Sequence, residues 1–289
     1  MTTPPRSFWQ RPLVLATLSA LLLSGGWPPQ PIGPLALALF AGWVPYLLME
    51  RQLTLANARK GRVFAYTYWV LLLWNALTTW WVSYSSLPAG IAAVVLNALL
   101  MCLPLMAFRQ TKKRLGNRLG YLSLPIYWIA FEQLHLHWDL TWPWLTLGNG
   151  FAAAPEWVQW YEYTGFLGGS VWVWVVNMLL FRSLIKSPLL KTKHENAGGV
   201  TPALASGSGH PARPAFGWPS SIFIPLLVIV LPIGLSYLIG ASYHEKGPTA
   251  EVVVVQPNLD PYNEKFEGGP ASSPPTSSSR AFSPSRSST

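Results

Sequence analysis

Apolar residues gather into long runs separated by short polar blocks over most of the chain. Seven runs can be marked, at residues 12–24, 35–49, 63–84, 89–108, 120–134, 166–185 and 221–241. Several reach the ~20 residues that a helix needs to cross a bilayer. The first, second and fifth are shorter, which suits helices that tilt or pack against neighbours. The pattern predicts a bundle of about seven transmembrane helices. The first run also resembles a signal peptide, because Arg6 and Arg11 precede LVLATLSALLL. No A-x-A site follows it and another apolar run does, so a retained helix is the better reading. One short pattern differs from all of these. Glu251 to Gln256 places four consecutive valines before Pro257 and Asn258, as a buried strand would. The residues after it offer no strand to pair with.

Composition agrees with a membrane protein. Of the 289 residues, 51% are hydrophobic and only 11% charged, too few charges for an ordinary soluble surface. A net charge of +9 could indicate nucleic-acid binding, but the positions of the charges argue against it. Sixteen of the 20 Lys and Arg fall in segments 1–11, 50–62, 109–119 and 182–218, among them Arg51, Arg109 and Lys112. The alternate loops, 25–34, 85–88 and 135–165, hold none. This alternation is the positive-inside bias. It predicts a cytoplasmic N-terminus, a transmembrane domain over residues 12–241, and an outer location for everything after 241. Two regions are too rich in Gly, Ser and Pro to bury a core: a cytoplasmic linker at 196–217 and a tail at 267–289.

Candidate chemistry concentrates in the long loop between the fifth and sixth runs. Trp138, Trp142, Trp144, Trp157, Trp160, Tyr161 and Tyr163 crowd there. An interfacial aromatic belt accounts for the rings. It does not account for Pro143, for the glycines at 148 and 150, or for Gly165, Gly168 and Gly169. Those predict a folded re-entrant element with close helix packing. His135, His137 and Asp139 could share a face if extended, but no third clear ligand follows, and interfacial polar residues are the simpler reading. Glu162 reads either as a solvated edge carboxylate or as a substrate-facing group. Glu132 lies within a span, where acids are functional suspects, yet close enough to its outer end to reach water. No chain of acids and bases runs through the spans, which argues against a proton-coupled transporter. The single cysteine, Cys102, sits inside an apolar run, so no disulfide framework is possible.

Three stretches together resemble one family. TWPWLTLGNGF is similar to the segment FPWLxxGYxQ of the apolipoprotein N-acyltransferases, and VQWYEYTGFLGGSVWVWVVNMLLF to IQLAxxTGVYGVSFLVVLVNALL. After another span, VVVVQPNLDPYNEKF resembles the VALVQGNI…KW that opens the family's extracytoplasmic domain, in a form most like members from the Bacteroidetes side. The resemblance implies an all-α polytopic membrane bundle followed by a nitrilase-like α/β domain on the outer face. It implies phospholipid acyl transfer to the N-terminal cysteine amine of apolipoproteins, without a cofactor. The chemistry uses a cysteine thiolate, a glutamate base and a lysine that stabilises an oxyanion. That Glu-Lys-Cys triad has no counterpart in this sequence, since Cys102 lies in a span. Residues 250–266 are then expected to be the first strand of a truncated nitrilase-like domain, and 267–289 an out-of-frame tail. The chain alone is expected to be inactive. Trp142, Pro143, Trp144 and Glu162 are the expected lipid-facing residues in the inner (plasma) membrane, with phospholipid and apolipoprotein as partners. The alternative is a non-enzymatic polytopic membrane protein with a genuine disordered tail.

Overall fold

A computed structural model describes residues 11–28, 33–186, 222–244, 247 and 251–254. The protein is mostly helical. Helix α1 (Pro12–Gly25) begins with proline, whose missing N–H costs nothing in a first turn. A 3-10 turn (Gly33–Ala38) leads into α2 (Leu39–Gly42) and, past Trp43, α3 (Val44–Leu55). Then follow α4 (Lys60–Thr79), the 51-residue helical stretch α5 (Leu87–His137), α6 (Tyr161–Lys186) and α7 (Phe223–Ser242). A helical element lies in each of the seven apolar runs. Among the described residues, four stretches, Gly33–Leu55, Leu87–His137, Tyr161–Lys186 and Phe223–Ser242, are long and apolar enough to cross a membrane.

The long α5 is a hairpin. Gly116, at φ 82° and ψ 175°, takes a conformation essentially restricted to glycine and turns the chain back on itself. The arms then run side by side: Thr111 and Tyr127 share a hydroxyl hydrogen bond at 2.9 Å, and His135 meets Asn97 at 2.8 Å. A Cβ on Gly120 would touch Lys112 at 2.5 Å, so the arms close most tightly beside the turn. Of the basic block at 109–119, Lys113, Arg114 and Arg118 are exposed around the turn, but two residues are not. Arg109 and Lys112 lie on the first arm and are buried.

Breaks in the helices are repaired by side chains, as an apolar setting demands. At the α2–α3 junction, the Asn177 amide of α6 accepts from Trp43 N–H and donates to the Leu39 carbonyl, both at 2.8 Å. It thereby occupies the place of the helical bond between those two groups. In α7, Pro232 has no N–H for the carbonyl four residues back. That carbonyl, on Val228, accepts the Trp172 indole N–H at 2.7 Å. The core centres on Trp43, which lies edge-on to Trp74 and Trp128 and stacks on Trp174 at 4.7 Å between centroids. All four are fully buried, and aromatic pairs of this kind add to the area they bury.

The expected strand does not form in its described part. Glu251–Val254 have no regular secondary structure and are exposed, and residues 255–266 lie outside the described residues. The linker at 196–217 and the tail at 267–289 lie outside them too.

Candidate functional site

Residues 138–160 connect the second arm of α5 to α6 and fold back into one end of the bundle. Three 3-10 turns, Pro143–Leu145, Leu147–Phe151 and Pro155–Trp157, carry the chain inward. Leu145 through Gly148, Gly150 and Phe151 are buried, which is the re-entrant element that the glycines and proline predicted. Glycine is required by contact. A Cβ at Gly148 would penetrate the Phe166 carbonyl, and one at Gly169 would penetrate the Tyr161 hydroxyl. The break in α6, at Gly165 (φ 66°), sits beside this seam.

Buried polar groups bind the loop to the helices. Glu132, only 3% exposed, accepts from the Trp128 indole N–H at 2.7 Å and from the Leu147 backbone N–H at 2.8 Å, both on Oε1. The next N–H, of Gly148, donates to Ser170 Oγ at 3.0 Å, and Tyr161 donates its hydroxyl to the Gly148 carbonyl at 2.9 Å. Glu132 is therefore a buried anchor, which corrects the reading that it reaches water.

His135 heads a second chain of bonds. Its Nε2 donates to Asn97 Oδ1 at 2.8 Å, Asn97 Nδ2 donates to Asn75 Oδ1 at 2.7 Å, and Asn75 Nδ2 donates to the Leu71 carbonyl at 2.8 Å. His135 is 5% exposed, whereas His137 is exposed. Both belong to α5, where a spacing of two turns side chains to different faces. The shared face expected of an extended segment is thus lost, and Asp139 is exposed. Among the described residues, no group of three His, Cys, Asp or Glu side chains could hold a metal ion.

Two cavities open in this region. One is a cleft of about 210 Å³ whose walls include Trp27, Thr78, Trp81, Trp144 and Asn149. The other is a cavity of about 10 Å³ bordered by Glu132, His135 and Trp142. Trp142 therefore lines the small cavity, half-buried. Pro143 begins the first 3-10 turn, and its carbonyl accepts from Thr146 N at 3.2 Å. Trp144, 51% exposed, meets the edge of Trp81 at 5.2 Å and walls the larger cleft. Glu162 is exposed in the first turn of α6 and lines neither cavity. The structure thus gathers Trp142, Pro143 and Trp144 but leaves Glu162 apart. Sequence reasoning missed Asn75, Asn97 and Ser170. The signal was there, since amides inside apolar runs demand partners.

These features define a helical membrane protein with a re-entrant loop locked into one end of its bundle. The sequence model of the apolipoprotein N-acyltransferase N-terminal domain matches residues 19–179, more than half of the chain, and the chain belongs to that family. The match contains the first recognition stretch and all but the last two residues of the second. The chain is 27% identical over 260 residues to the apolipoprotein N-acyltransferase of Chlorobaculum tepidum, covering 89% of this chain and 43% of that protein. It is 26% identical over 258 residues to that of Geobacter metallireducens, covering 87% of this chain and 44% of the relative. The chain thus spans less than half the length of the curated relatives it matches. No solved structure matches it.

Proposed function

We propose that this chain is the membrane domain of an apolipoprotein N-acyltransferase, multi-pass in the inner (plasma) membrane with its N-terminus cytoplasmic. The observation that carries the reading is family membership across residues 19–179, the segment that builds both cavities. Supporting it, the basic residues alternate between loops as positive-inside topology requires. On this reading the re-entrant loop faces the outer leaflet. The bundle lets phospholipid and lipoprotein acyl chains approach laterally along the aromatic wall of the larger cleft. Trp142, Pro143 and Trp144 shape that wall, and Glu162 stands exposed on the same end as a polar rim. Residues 250–266 belong to the start of a nitrilase-like domain in this scheme.

These 289 residues provide no acyl-carrying thiol. Cys102 is the sole cysteine, is 2% exposed, and donates its S–H to the Ala98 carbonyl at 3.4 Å. A photoactivatable phospholipid, with its reactive group on the acyl chain, tests the reading in proteoliposomes containing the purified chain. Cross-links are expected to concentrate on residues 138–163 and on Trp81, with no thioester formed at Cys102. Cross-links spread evenly around the bundle, or a thioester on this chain, would overturn it.

A further inference from the structure

The small cavity beside Glu132 holds more polar chemistry than its walls satisfy. His135 Nδ1 and Trp142 Nε1 are buried and have no hydrogen-bond partner in the protein. Glu132 Oε2 is likewise buried without a hydrogen-bond partner in the protein, Trp128 and Leu147 both donating to Oε1. All three residues border the same cavity. Buried polar atoms of this kind are nearly always paired, with protein or with ordered water.

The required chemistry can be read along the Asn75–Asn97–His135 chain. The Leu71 carbonyl can only accept, so Asn75 must turn its NH₂ toward it and present Oδ1 to Asn97. Asn97 then donates to Asn75 and presents its own oxygen to His135, so the proton of the neutral ring sits on Nε2. His135 Nδ1 is left as a bare acceptor on a residue that lines the cavity. Trp142 Nε1–H is a donor only, and a carboxylate oxygen is an acceptor only. The occupant must donate twice and accept once.

We propose that the cavity is a site for one resident water. It accepts from Trp142 Nε1–H and donates to His135 Nδ1 and Glu132 Oε2. The volume of about 10 Å³ has room for about one water. A lipid hydroxyl carries similar chemistry, but its carbon chain needs space that the cavity does not have. The water ties Trp142, on the re-entrant loop, to both polar networks of α5. Trp142 is thereby an anchored side chain, whereas its neighbour Trp144 is free to meet lipid. The inference stands independently of the acyltransferase reading.

The test uses the unmodified chain in lipid nanodiscs, so no variant has to fold. A cryo-EM map fine enough to show waters is expected to contain an isolated peak within hydrogen-bond distance of all three atoms. Solid-state nitrogen NMR is expected to place His135 Nδ1 in the unprotonated, hydrogen-bonded range, with a cross-peak to water. Density continuous with an acyl chain would overturn the proposal. So would an Nδ1 resonance typical of a bare nitrogen, without a water cross-peak.

Discussion

Each end of the bundle buries one glutamate, and the two are stabilised by opposite means. At the loop end, Glu132 is held by neutral donors: an indole N–H and a backbone N–H. At the far end, beside the α5 turn, Glu50 is fully buried and pairs with the Lys112 ammonium. Arg109 approaches the same carboxylate at 3.9 Å, and Thr54 donates its hydroxyl at 2.8 Å. The rings of Phe108 and Tyr121 lie 5.3 and 5.1 Å from the Lys112 nitrogen. One carboxylate therefore answers two cations there, and the aromatic faces take up part of the surplus positive charge. At the loop end, dipoles do the whole task. Charge holds the hairpin to α3, while dipoles hold a loop whose path must be fixed in detail.

The largest effect is expected where charge is involved. Glu50→Gln leaves Lys112 and Arg109 buried without a counter-charge. Removing one partner of a buried pair costs about 3–5 kcal/mol. Denaturant or thermal midpoints followed by tryptophan fluorescence in detergent would measure it. Adding Lys112→Met to Glu50→Gln is expected to recover a large part of the loss, since it removes the closest unpaired cation. If the double variant is no better than the single one, the far end is not held by charge, and the contrast between the ends fails.

Glycines sharpen the same contrast by a different route. At Gly148 a methyl group would collide with the Phe166 backbone carbonyl, which has no rotamer to escape into. Gly148→Ala is therefore expected to cost about 3 kcal/mol, the upper part of the usual range for overpacking. It should also expose residues 138–160 to protease, because the loop must move out. Gly116 has nothing within 4 Å of its would-be Cβ, so Gly116→Ala meets only the strain of its backbone angles. That is worth about 1–3 kcal/mol and should leave the loop protected. Equal protease sensitivity in the two variants would show that the loop is not seated as described.

The two ends were not equally legible in the sequence. Apolar runs revealed where the α-helices of the described residues lie, because a run long enough to span must satisfy its backbone internally. The glycines and Pro143 revealed that the loop folds inward, because a simple aromatic belt has no use for them. The charge triad stayed hidden for a specific reason. Arg109 and Lys112 look like any cytoplasmic basic block, and only the antiparallel return at Gly116, together with the approach of α3, buries them against Glu50. His135 was misread because its neighbours suggested an extended segment, whereas α5 continues through His137. The valines at 252–254 carry a strand propensity, but a strand needs a partner to form, and none lies beside the described residues there. Local pattern thus sufficed for elements and failed wherever a residue's role depends on what packs across from it.

The smallest effect comes from repeating the first substitution at the other end. In Glu132→Gln, the amide carbonyl can take the place of Oε1 and keep both the Trp128 and Leu147 donors. The new NH₂ takes the place of Oε2 on a residue that lines the same cavity as His135. Few hydrogen bonds are lost and no charge is stranded, so the expected cost is about 1 kcal/mol, the net worth of a typical hydrogen bond. Measured in the same detergent, the two Glu→Gln variants should differ by a factor of about three or more in lost stability, as these magnitudes imply. A Glu132→Gln loss equal to that of Glu50→Gln would mean that the loop-end carboxylate answers a charge the described contacts do not contain. A loss near zero, with the loop still protected from protease, would mean that its neutral hydrogen bonds alone seat the loop.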